Sequence, residues 1–117
     1  MRKRNTQYRK DASAVYAAFA AIPEALRLSK LQVMNSMGLD TVDGRSQCVH
    51  TLQRDILDPY LKDVKSYVAK KKLKECLKDW NQCTLRFVTA FGLTGSEAYD
   101  RFADEVETLA KKLKDEI

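Results

Sequence analysis

From Pro59 to Phe91 the chain runs without a glycine or a second proline, and no other feature limits the fold as tightly. Most residues in this stretch are good helix formers. It predicts one long central helix over about 59–91, about 50 Å in length at 1.5 Å per residue. Asp58-Pro59 reads as its start, because an aspartate can accept from orphan amides and proline costs no hydrogen bond at the first helical position. Gly92 reads as its stop. The whole chain holds only four Gly and two Pro, too few for the frequent tight turns of an all-β fold. The expected fold is therefore all-α, a small helical bundle of four main segments forming one domain over 1–117, with residues 1–7 as a basic arm.

The other segments carry their own signals. Between residues 6 and 37, Tyr8, Ala12, Val15, Phe19, Ile22, Leu26, Val33 and Met37 follow helical steps, the seam of an amphipathic helix. Pro23 lies inside this run and predicts a kink or a break. The basic start followed by an Ala-rich run superficially resembles a secretory signal. The weak apolarity, Asp11 and the seam favour a helix of the mature protein. Gly38 predicts a left-handed stop. A shorter helix is expected at about 44–57, with Cys48, Val49, Leu52 and Ile56 on one face. Thr94-Gly95-Ser96-Glu97 has capping-box spacing. It opens a last helix whose seam is Tyr99, Phe102, Val106, Leu109 and Leu113.

The apolar residues of 59–91 do not share one face. At 100° per residue, Tyr60, Leu61, Val64, Tyr67 and Val68 fall on one side. Leu73, Cys76, Leu77, Trp80, Cys83, Phe87, Val88 and Phe91 fall nearly opposite, with the change around Ala69 to Lys72. A straight helix cannot bury both stripes against one core. With no breaker between them, the expectation is that the first stripe meets a different partner, such as a second copy of the chain. On this reading the protein is a non-enzymatic interaction protein acting by self-association or helix packing with a protein partner, through Tyr60, Leu61, Val64, Tyr67 and Val68.

Charge supports an alternative. The net charge is +5, and the positive groups cluster: residues 1–10 sum to +5 and residues 59–92 to +5, whereas 11–58 and 93–117 sum to −2 and −3. Lys71, Lys74 and Lys78, with Lys70 at the margin, form a basic stripe that Tyr60 and Tyr67 extend. Ammonium groups at helical spacing can meet successive phosphates. Arg2, Lys3, Arg4, Arg9 and Lys10 could add groove contacts. Lysine in place of arginine favours backbone contact over base reading. The alternative is thus a sequence-tolerant nucleic-acid-binding accessory protein.

Other chemistries find little support. Cys76 and Cys83 share a face but lie about 10 Å apart by helical rise, too far to bridge or to hold one zinc ion. Cys48 and His50 lack a second ligand pair, so no metal site is expected. His50 has Ser46 four residues before it, with Asp43 and Asp55 as the only nearby carboxylates to orient it. No phosphate-cradling glycine motif occurs. No cofactor, no small-molecule ligand and no membrane span are expected. An odd number of cysteines, three, points to the cytoplasm.

Overall fold

The computed structural model describes residues 2–62, 64–90 and 92–116; the side chains of residues 2–6, Tyr60 and Glu116 lie outside that description. All regular elements among the described residues are helical: α1 (Arg2–Ser36), α2 (Val42–Leu52), a π-helical turn (Gln53–Leu57), α3 (Asp58–Leu61), α4 (Tyr67–Val88) and α5 (Gly95–Glu116). The chain is the small all-α bundle that its seams predict.

Paired residues define the topology. Leu26 and Arg27 of α1 meet Tyr99, Asp104 and Glu107 of α5, while Ala12 and Val15 lie with Leu113. α1 and α5 are therefore antiparallel. Trp80 of α4 touches Phe19 of α1 and Phe102 of α5, and Phe87 stacks on Phe102 with ring centroids 4.6 Å apart. Asp11 reaches the residues just before α4, so α1 and α4 start at the same end. The rod formed by α2, the π turn and α3 runs back from the opposite end, where Arg45 donates to the Val88 carbonyl at 3.0 Å. The result is an up-down-up-down four-rod bundle, 51 Å long and about 20 Å across.

The seams of α1 and α5 are buried as their spacing predicts. Phe19, Ile22, Leu26, Phe102 and Val106 have no exposed surface. α1 continues through Pro23 to Ser36 rather than ending there, and it begins at Arg2, so residues 2–7 extend the first helix instead of forming a separate arm. Thr94 Oγ1 accepts from Glu97 N at 3.1 Å, as the capping box requires. Gly92 adopts the left-handed conformation at φ +80°, but Gly38 does not. The close approach falls at Gly44 instead, where a Cβ would stand on the Gly38 carbonyl.

The long central helix is not formed. Helix continues from Val42 through Asp58-Pro59 to Leu61, so Asp58-Pro59 is not the boundary. A π turn widens the rod just ahead of Pro59 and relieves the clash of its ring with the preceding turn. The break falls between Leu61 and Tyr67. There the Asp11 carboxylate accepts from the backbone amides of Lys65, at 3.0 Å, and of Ser66. Ser66 then caps α4 by accepting from Ala69 N. The break also resolves the two opposed apolar stripes. Val64, only 7% exposed, joins the common core, as does Leu61 in part. Val64 and part of Leu61 bury against the same interior as the second stripe, whereas Tyr67 and Val68 stay exposed.

Candidate nucleic-acid interface

The Asp11 contact brings together chain segments that are distant in sequence. It seats the start of α1 beside the 62–66 linker. Ala12, Val15, Ala69, Lys72 and Leu113 line one small gap, which adds the end of α5. The described residues of 2–14, 62–78 and 109–116 hold fifteen Lys and Arg against four Asp and Glu. The remaining described residues hold six against eleven. The bundle is thus strongly polarised along its length.

The Asp11 carboxyl is held in its charged form. Burial pulls its pKa up, but hydrogen bonds from the Ser66 amide, the Gln7 side chain and the Lys65 amide outweigh this. The net position is below the ordinary 3.8.

Away from that end, most cations are engaged by the fold. Arg27 pairs with Asp104 at 3.0 Å and Glu107 at 2.7 Å, Lys30 with Asp100 at 2.8 Å, and Arg86 with Glu105 at 2.9 Å. Arg45 is buried, and its guanidinium donates to the Leu39 and Val88 carbonyls. The expected stripe is different. Lys70, Lys71, Lys74 and Lys78 are all exposed, and among the described residues none has an ion-pair partner. The burial of Ala69, Cys76, Trp80, Cys83 and Phe87 on the inner face of α4 turns the stripe outward. Arg9 and Lys10 are exposed on α1. The side chains of Arg2, Lys3 and Arg4 lie outside the described residues. Sequence inspection missed Lys62 and Lys65, exposed on the linker beside Asp11.

The five residues expected to form a protein interface do not share one exposed surface. Val64 is core and Leu61 is half-buried, whereas Tyr67 and Val68 are 81% and 52% exposed. The side chain of Tyr60 lies outside the described residues. A Val64→Asp change would therefore strike the fold before any interface.

Around His50 a shallow cleft of about 380 Å³ is bounded by Ser46, Asn81, Gln82 and Leu85, with no carboxylate in its wall. Asp55 is engaged by Arg54 at 2.9 Å. Cys48 is buried while His50 is exposed, so the two do not face one site. Burial pushes the Cys48 thiol up to about 11. No helix among the described residues is long and apolar enough to cross a membrane.

No family model, curated protein or solved structure matches this chain. The functional reading therefore rests on the geometry alone.

Proposed function

We propose that this protein binds nucleic acid through the phosphate backbone, with little choice of sequence, using its basic end. The observation that carries this reading is the outward face of α4, where Lys70, Lys71, Lys74 and Lys78 stand exposed without ion-pair partners among the described residues. Elsewhere in the bundle Arg27, Lys30 and Arg86 are neutralised within the fold. Four ammonium groups on one face, with Lys62 and Lys65 exposed on the linker that leads into it, give an anionic polymer a track along α4. Lysine supplies point charge without the planar fork that reads guanine.

Salt-titrated binding tests it. Four phosphate contacts give a slope of about −3 in log K against log salt on a single strand. Affinity should fall roughly 50-fold between about 50 and 200 mM salt. Reversing Lys70, Lys71, Lys74 and Lys78 to Glu should abolish binding while leaving the helical circular dichroism intact. Absence of binding to DNA and RNA at low salt, or full binding by the reversed variant, refutes the reading.

A second reading, self-association, is favoured by a different surface from the one the sequence suggests. Leu28 and Leu31 on the outer side of α1 are 80% and 74% exposed. Glu24 is the single charge near them that is not paired to α5. An antiparallel two-fold pairing would set Leu28 on the partner copy's Leu31 and Glu24 beside its Asn35, with no like charges opposed. Sedimentation equilibrium decides it: the wild type should show concentration-dependent mass, and Leu28→Glu with Leu31→Glu should be monomeric. A wild type that stays monomeric at all concentrations refutes it.

A further inference from the structure

We infer that the basic end takes single-stranded nucleic acid in preference to duplex, with a base stacked on Tyr67. This rests on the proposed binding function and names its substrate class.

Tyr67 is the first residue of α4, directly after the Ser66 cap. Its side chain is 81% exposed, the highest value among the exposed large hydrophobic residues described, and Val68 beside it is 52% exposed. At 100° per residue, Tyr67, Lys71, Lys74 and Lys78 fall within about 60° of one another on the outer face. The ring therefore heads a lysine column about 16 Å long. Two further cations, Lys62 and Lys65, are exposed on the linker that leads into it, and Lys70 follows one turn later. A tyrosine normally buries most of its ring area. Here the described residues leave most of it uncovered, although the same chain hides Tyr99 almost completely.

A ring placed at the head of a cationic track has a specific use. Bases in a duplex are stacked on each other and offer only their edges, so a duplex can engage the lysines but not the ring. A single strand offers π-faces as well as phosphates, and stacking on an aromatic side chain tolerates any base. The combination of an exposed aromatic residue and a row of ammonium groups fits a flexible strand laid along α4, one base on Tyr67 and following phosphates on Lys71, Lys74 and Lys78.

The experiment compares fluorescence anisotropy of a labelled strand of about 16 nucleotides with that of its duplex, at fixed low salt, for the wild type, Tyr67→Ala and Tyr67→Phe. The single strand should bind the wild type more tightly. Tyr67→Ala should weaken single-strand binding by about fivefold to 100-fold, leave duplex binding unchanged and leave the thermal midpoint unchanged. Tyr67→Phe should restore single-strand binding, which a merely structural role for the hydroxyl would not do. Equal single-strand and duplex affinities, or an unchanged single-strand affinity for Tyr67→Ala, overturn the inference and leave the lysine-based reading standing. Failure of the wild type to bind either form overturns both.

Discussion

Replacing Asp11 with Ala removes the contact on which the observed topology turns. The wild-type carboxylate accepts from two backbone amides, those of Lys65 and Ser66, and from Gln7 Nε2 at 2.9 Å. The residue is 4% exposed. A hydrogen bond to a charged acceptor contributes about 1.5–3 kcal/mol, and these two, being only part-buried, fall toward the lower end. Gln7 can turn to water, so only the two amides count. Their loss should destabilise the protein by about 3–4 kcal/mol, a large share of the roughly 5–15 kcal/mol of an ordinary domain. Tm should fall by roughly 10–18 °C. Asp11→Asn keeps an oxygen acceptor but loses the charge, and should cost about 1–2 kcal/mol.

Urea unfolding followed by the fluorescence of Trp80, the sole tryptophan and 1% exposed, measures both variants. The pH dependence provides an independent check. The Asp11 pKa is depressed in the folded state, so its stabilisation is fully present above the unfolded value. It is lost as pH falls through the folded value. The stability gap between wild type and Asp11→Asn should be constant above about pH 5 and narrow below about pH 4. An Asp11→Ala variant within about 1 kcal/mol of wild type would refute the assignment of the break to this carboxylate.

Two further expectations follow from close packing and burial. Gly44→Ala places a Cβ against the backbone carbonyl of Gly38. It should lower the urea midpoint by the equivalent of at least about 2 kcal/mol, despite the better helix propensity of alanine. The raised pKa of buried Cys48, at about 11, predicts slow reaction with a disulfide reagent at pH 8, where only about one thiol in 1,000 is ionised. The rate should keep climbing toward pH 10, and a plateau near pH 9 would contradict the burial.

The proposed interface was only partly legible in the sequence. Lys70, Lys71, Lys74 and Lys78 could be placed on one face by spacing alone, because the inner face is marked by Cys76, Trp80, Cys83 and Phe87. Lys62 and Lys65 could not, since their position depends on where the helix breaks. The burial of Val64 and the half-burial of Leu61 could not be read for the same reason. Yet the signal of the break was present. Apolar residues that change sides of a helix within one turn mark a discontinuity as readily as a second partner, even without glycine or proline.

Local chemistry determined most of the rest. The all-helical class, the buried seams of α1 and α5 and the Thr94 cap all follow from residues within a few positions of one another. Helical periodicity and capping need no distant partner. Only the tertiary structure decided that 59–91 is two helices and that the basic segments share one end of the bundle. No glycine or proline turns the chain out of the helix between Leu61 and Tyr67. The amides of Lys65 and Ser66 leave it because a carboxylate more than fifty residues earlier in the chain satisfies them while Val64 reaches the core. Hydrogen-bond satisfaction of the backbone is a global condition, and a sequence window cannot contain the acceptor that meets it.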